Sequence, residues 1–285
     1  VDCQSIVSGD GDAELVENFA RAIRSVERRR PGGLRLSVLE TDTSNRAPLA
    51  QLNRWLDDYE EMVRNKRILL CLDEFDKLIG RIAQGRVSED ILGLLRSLSQ
   101  SPSWMVLYSG QYELDDHIAP YAEYIKNVRR MRVSYLKRDE ARSLIEEPVP
   151  NFGLVYEPEA TELILKWSGC QPLLIQLIGS LVVSDFKENN LESAQQAEKP
   201  VVELSAIEKL RPKIFDIGRH YFQSWEQAFD EATNQALREI AATGKTDAEP
   251  AILNRLVDYE YIESTDEGGW AFRVPLLSDW WAKGA

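Results

Sequence analysis

From Val1 to about Leu136 the apolar positions follow two periods in alternation. Residues 13–28 set Leu15, Phe19, Ala22, Ile23 and Val26 on one face at helical spacing, and Pro31-Gly32-Gly33 ends that helix. Leu34 to Leu39 reads as a short strand or an irregular run. Residues 49–63 are helical again, with Leu49, Leu52, Leu56, Tyr59 and Val63 in register. Ile68-Leu69-Leu70-Cys71-Leu72 is then a continuous apolar run, the pattern of a strand buried on both faces of a parallel sheet. Ser88 is placed to cap a helix with Glu89 and Asp90 in its first turn and Ile91, Leu94, Leu95 and Leu98 on its buried stripe. Trp104 to Tyr108 reads as a second strand, and Val128 to Val133 as a third, nearer an edge. Strands separated by helices predict a parallel sheet with crossovers.

After Leu136 the pattern turns helical throughout. Arg138 to Glu146 is one helix; Pro158 opens a second with Leu163, Ile164 and Trp167 inward, and Gly169 closes it. Pro172 opens a third, apolar at Leu173, Leu174, Leu177, Ile178 and Leu181. The polar stretch 188–200 reads as a linker or loop. Helices are expected over 203–215, 221–242 and 250–258. A hairpin follows, Tyr261-Ile262-Glu263 and Trp270 to Val274 flanking Asp266-Glu267-Gly268-Gly269.

Composition narrows the classes. Across 285 residues, 34 Lys+Arg against 47 Asp+Glu leave a net charge of −13. That argues against tight DNA binding, which needs cations to replace counterions, and against a polybasic membrane anchor. With 44% hydrophobic and 28% charged residues the chain is globular rather than disordered. Cys3, Cys71 and Cys170 are scattered, which predicts no disulfide framework, a reducing compartment and a cytoplasmic protein. With only His117 and His220 besides, zinc-ligand spacing is missing. The longest uncharged stretch, Trp167 to Ser184, is too polar for a membrane span and reads as a buried helix.

Four motifs could carry chemistry. The first is Asp73-Glu74 directly after the run ending at Leu72. A buried strand delivers both carboxylates to the carboxyl edge of the sheet, where open α/β sheets bind ligands. There an Asp can help hold Mg²⁺ through its water shell, and the next Glu can polarise an attacking water. The bland alternative is that Asp73 merely caps the helix beginning near Phe75. The second motif, Tyr108-Ser109-Gly110-Gln111, closes the next strand at the same edge, as a terminal-phosphate contact or simply a turn. The third, Gly169-Cys170-Gln171-Pro172, is either a helix–helix corner or a backbone surface for a base. The fourth, Gly244-Lys245-Thr246, has the ending of a phosphate-binding loop, but Glu239 stands where the loop's first Gly belongs and a helix precedes it. It reads as a helix–helix loop. Arg129, Arg130 and Arg132 form a compact basic cluster, read as solvated or ion-paired arginines rather than as an arginine finger.

Taken in order, ILLCLDEFDKL at 68–78, SEDILGLLRSL at 88–98, VSYLKRDEARSLIEEPVP at 133–150, LVYEPEATELILKWSGCQPLLIQLIG at 154–179 and FRVPLLSDWW at 272–281 resemble the bacterial branch of the STAND-class P-loop ATPases, relatives of the AAA+ class and of the archaeal ATPases. The resemblance covers nearly the whole chain. It implies an α/β fold: a partial P-loop, AAA+-like parallel sheet core over 1–136, an all-α lid over 137–202 and a C-terminal winged-helix domain over 203–285. It implies a signal-transduction switch that binds or hydrolyses ATP with Mg²⁺. Nucleotide state would then control the conformation and assembly of attached effector or sensor domains, with a homo-oligomer on activation.

By matching position, Glu74 is the implied catalytic acid, Asp73 the magnesium-associated acid, and Ser109 the sensor position. Gly169 and Pro172 are the lid motif near the adenine, with Cys170 where a second Gly is frequent. In that family the Walker A loop precedes a strand that ends like Val1-Asp2-Cys3-Gln4, so the expectation is a fragment lacking the Walker A region, inactive as an ATPase alone. The alternative function is a nucleotide-independent interaction or scaffold module with a vestigial site.

Overall fold

The computed structural model describes residues 1–7, 11–39, 47–63, 66–111, 114–189 and 199–283. They fall into two units, Val1–Arg130 and Met131–Ala285. In the first unit β1 (Ile68–Leu72) and β2 (Trp104–Tyr108) pair in parallel, Ile68 opposite Trp104 and Leu72 opposite Tyr108. The other edge of β1 takes the amino terminus. The Cys3 amide donates to the Asp73 carbonyl at 2.8 Å, and the Asp73 amide to the Val1 carbonyl at 2.9 Å. Among the described residues only a bridge between Asp2 and Asp73 forms there. The chain turns at once into α1 (Cys3–Ile6), because Asp2 Oδ1 accepts the Gln4 and Ser5 amides and caps it.

Four longer helices build the core: α2 (Asp12–Arg29), α3 (Pro48–Met62), α4 (Phe75–Ala83) and α5 (Asp90–Gln100). Leu15 and Phe19, Leu52 and Leu56, Leu78 and Ile79, and Ile91 and Leu95 pack with Leu70, Leu72 and Trp104. Ser88, expected as the cap of α5, stands one residue ahead of it: the N-cap is Glu89, whose side chain makes no capping bond, while Ser88 Oγ accepts the Asp90 amide at 3.2 Å. Short helices α6 (Leu114–Ile118) and α7 (Ala122–Ile125) follow β2.

Two expectations change here. Leu70 and Leu72 are buried, but Leu69, Cys71, Met105 and Leu107 alternate onto the opposite face, which no described element covers. Leu69 is 58% and Met105 59% exposed. Residues 128–133, read as a third strand, enter no sheet among the described residues. With no ladder to join, Met131 and Val133 stay exposed, while Arg132 Nη1 donates to the Asp258 carbonyl at 2.6 Å.

A clasp that the pattern did not announce closes the end of α2. Glu27 is 3% exposed. Its carboxylate accepts the Tyr59 hydroxyl at 2.8 Å and the Leu34 amide at 3.0 Å, and pairs with Arg30 at 3.3 Å. The turn folds back so tightly that a Cβ on Gly33 would lie 1.8 Å from the Glu27 carbonyl oxygen, so position 33 needs glycine. Burial alone would push the Glu27 carboxyl up. The Leu34 and Tyr59 hydrogen bonds and the charges of Arg30 and Lys66 outweigh it, so the net shift is below 4.5. Burial, with Glu27 beside it, pushes the Tyr59 hydroxyl up to about 12.

A lowered folded value means that Glu27 contributes stability above the ordinary carboxylate range and loses it as pH falls through the folded value. Glu27→Gln should cost about 1.5–3 kcal/mol at neutral pH and flatten the acid limb of stability below about pH 5. Urea unfolding followed across that range checks both.

The second unit holds α8 (Arg138–Glu146), α9 (Pro158–Ser168), α10 (Pro172–Asn189), α11 (Leu204–Ile217), α12 (Arg219–Gln227), α13 (Glu231–Thr243), α14 (Pro250–Asp258) and α15 (Pro275–Lys283). Pro158, Pro172, Pro250 and Pro275 each occupy a first helical position, where the missing N–H costs nothing. The single helix expected over 221–242 is two, because Asp230 accepts the Thr233 amide at 2.8 Å and caps α13 afresh. β3 (Val155–Tyr156) and β4 (Val201–Val202) form a parallel pair too short to leave a periodic signal. β5 (Ile262–Ser264) and β6 (Trp270–Phe272) form the expected antiparallel hairpin. Of the polar stretch 188–200, residues 190–198 lie outside the described residues. Among the described residues no helix is long and apolar enough to cross a membrane.

Candidate functional site at the carboxyl edge of the first sheet

β1 ends at Leu72 and β2 at Tyr108, so parallel pairing brings Asp73-Glu74 and Ser109 to one edge. The Ser109 amide donates to the Leu72 carbonyl and the Phe75 amide to the Ser109 carbonyl, both at 2.9 Å. Ser109 Oγ donates to Asp73 Oδ1 at 2.7 Å, and the Glu74 amide reaches the same oxygen at 3.1 Å. Asp73 does not cap α4. The residue before α4 is Glu74, whose side chain makes no capping bond. Glu74 sits in the left-handed region at φ +52, where a non-glycine residue is strained and often functional.

Asp73 and Ser109 are exposed and Glu74 half-buried, so the edge is open to solvent. Asp73 Oδ2 accepts no hydrogen bond among the described residues. One free carboxylate oxygen beside water suits an ion that keeps most of its hydration shell, as Mg²⁺ does. No group of three His, Cys, Asp or Glu that could hold a metal occurs among the described residues, so an all-protein cage is not on offer. Cys3, buried nearby, is no nucleophile. Burial raises its thiol to about 12; the amino terminus opposes this, and Asp2, Asp73 and Asp76 add to it.

Gly169 and Pro172 lie in the second unit. Gly169, at φ +55, ends α9 and packs on the strand-to-helix junction after β6. A Cβ there would lie 2.0 Å from the Arg273 carbonyl oxygen. Cys170 follows at φ +64, and its carbonyl accepts the Leu136 amide at 3.2 Å. Gln171 Oε1 accepts the Leu174 amide at 2.8 Å, and its Nε2 donates to the Tyr221 hydroxyl at 2.8 Å. Pro172 then starts α10. Position 169 therefore has a packing reason to be glycine.

Gly244-Lys245-Thr246 lies in the connection between α13 and α14, residues 244–249. Gly244, at φ +69, ends α13; its carbonyl accepts the Trp270 amide at 2.7 Å, and Thr246 Oγ1 donates to Glu239. Helix α13 rather than a strand leads into it, so it is not a phosphate cradle.

One residue of the edge escaped the motif reading. Asp76, in the first turn of α4, is buried beside Gly110. Its only signal in the sequence is its place three residues after Asp73.

No family model matches the chain, and no curated protein matches it. Among solved structures it is similar to the Walker-type ATPase PABY2304 of Pyrococcus abyssi, at a TM-score of 0.56 and 14% identity, covering 99% of this chain and 83% of that one. At such identity the likeness carries the fold alone: the chain is a helix-rich mixed α/β protein with a P-loop-ATPase-like fold.

Proposed function

We propose that the chain is the switch module of a STAND-type ATPase, in which bound nucleotide controls the conformation and assembly of attached domains. The observation that carries this reading is the Asp73–Glu74–Ser109 constellation at the carboxyl edge of parallel strands, in a fold similar to a Walker-type ATPase. In this reading Asp73 holds the water shell of Mg²⁺. Glu74 orients and deprotonates the attacking water, and Ser109, already bonded to Asp73, reports the terminal phosphate. Mg²⁺ supplies charge neutralisation of the phosphates when bound. Residues 137–202 serve as lid and 203–285 as a winged helix, with Gly169 and Pro172 near the base.

The residues present fit the ion better than the nucleotide, since no phosphate cradle occurs among the described residues. The exposed side chains Leu69, Cys71, Met105 and Leu107 suit a covering strand–loop–helix element beside β2. An element of that kind bearing Gly-x-x-x-x-Gly-Lys-Ser/Thr on the same polypeptide would complete the site.

The alternative is a nucleotide-independent interaction module with a vestigial site, favoured by that missing cradle. A fluorescent ATP analogue titrated into the full polypeptide separates them. Saturable, Mg²⁺-dependent binding that Asp73→Asn weakens supports the switch; no binding supports the scaffold.

DNA binding is not proposed for the helix-and-hairpin segment. The only cation of α14, Arg255, lies over the Tyr259 ring at 5.8 Å, and Asp247, Glu249, Asp258 and Glu260 surround it in sequence. A duplex titration at physiological salt should show no submicromolar binding; such affinity would overturn the prediction.

A further inference from the structure

Asp76 is 9% exposed, and its Oδ2 pairs with Lys77 Nζ at 3.1 Å. Its Oδ1 is buried and accepts no hydrogen bond among the described residues. A buried carboxylate oxygen without a donor is costly, and native proteins keep few of them without a use. What lies against that oxygen is the turn after β2. A Cβ on Gly110 would stand 3.0 Å from Asp76 Oδ1 and 2.9 Å from Leu114 Cδ2. The Gly110 and Gln111 amides donate to no partner among the described residues. A buried acceptor without a donor therefore borders a turn whose two solvent-exposed amides donate to no protein group among the described residues. Ser109 anchors the start of that turn through its backbone bonds to Leu72 and Phe75 and through its Oγ, which bonds Asp73 at 2.7 Å and lies 3.4 Å from the Leu72 carbonyl.

We propose that Asp76 is a positioning residue, the second station of a latch formed by Ser109-Gly110-Gln111. While Asp73 is free, Ser109 Oγ–H keeps the turn on Asp73. When the water shell of a cation engages both oxygens of Asp73, Oδ1 loses its hold on Ser109 Oγ and the hydroxyl is released. The Gly110 or Gln111 amide then moves onto Asp76 Oδ1, forming a charge-assisted bond in a buried setting. Glycine at 110 lets the backbone come that close. Capture of Asp73 by a cation rests on the switch reading above. The latch itself does not, because cutting the Ser109–Asp73 bond by mutation frees Gly110 and Gln111 as well, while the Ser109 backbone stays bonded to Leu72 and Phe75.

The test needs no nucleotide. Amide hydrogen exchange at Gly110 and Gln111 is followed by NMR in the full chain, with circular dichroism confirming that each variant is folded. Asp73→Ala should slow exchange of one of these amides by about tenfold or more. Ser109→Ala, which cuts the same bond from the other side, should do the same. Combining either with Asp76→Leu should restore the fast rate, while Asp76→Leu alone leaves it unchanged. No slowing in either single variant, or slowing that persists without the Asp76 carboxylate, overturns the proposal. Because no ligand is added, this result stands apart from whether the full polypeptide binds ATP.

Discussion

Gly169→Ala is expected to destabilise the second unit by about 3 kcal/mol or more, the sum of left-handed strain and overpacking. At φ +55 any side chain meets that strain, and here the new Cβ would lie 2.0 Å from a backbone oxygen, that of Arg273. Backbone held between β6 and α15 cannot step aside as a side-chain tip can. Losses of that size are a large fraction of the roughly 5–15 kcal/mol that keeps a typical protein folded. Urea unfolding monitored by tryptophan fluorescence should show the midpoint fall sharply, since Trp167, Trp225, Trp270, Trp280 and Trp281 all lie in this unit.

The neighbouring position gives the opposite sign. Cys170 carries the same left-handed conformation at φ +64. Cys170→Gly removes that strain, worth about 1–2 kcal/mol. It also adds freedom to the unfolded chain, worth about 0.4–1 kcal/mol. A small net stabilisation of up to about 1.6 kcal/mol follows. Equal responses of the two positions would contradict this account of the corner.

What the chain disclosed in advance was what repeats along it or has a chemically marked boundary. Helices α2 and α3 have an apolar stripe several turns long, and their limits lie within one residue of expectation. Pro158, Pro172 and Pro250 marked their helices because the proline constraint is local. The edge constellation was legible for a similar reason: a strand ending in Asp73-Glu74 and another ending in Ser109 must meet if the strands are parallel.

Features made by distant partners were not legible. Nothing near Glu27 in the sequence announces Tyr59, and nothing near Asp76 announces Gly110. The two-residue pair of β3 and β4 is too short for alternation to register. The continuous apolar run at 68–72 suggested burial on both faces, but that pattern reports what a strand could bury, not what covers it. Likewise Gly169-Cys170-Gln171-Pro172 had two readings in the sequence. The structure supplies the physical demand for glycine at 169, a close backbone approach, and leaves the base-binding role as part of the proposal.

The second large effect is catalytic. Among the described residues Glu74 is the one carboxylate at the edge that neither accepts a hydrogen bond nor makes a salt bridge, whereas Asp73 holds Ser109 and Asp76 pairs with Lys77, and it is strained into place at φ +52. Glu74→Gln keeps the size of the side chain and its reach toward water but removes the base. Loss of general-base assistance is worth about 100-fold to 10,000-fold in rate. It should leave ground-state binding of nucleotide nearly intact, because the phosphates and Mg²⁺ are held elsewhere. The direct measurement is therefore ATP turnover and retention of a fluorescent ATP analogue by the full polypeptide, with and without Glu74→Gln. The switch reading predicts that the variant holds the analogue while turnover falls by about 100-fold or more. Unchanged turnover in the variant, or no analogue binding by the unsubstituted protein, would contradict it.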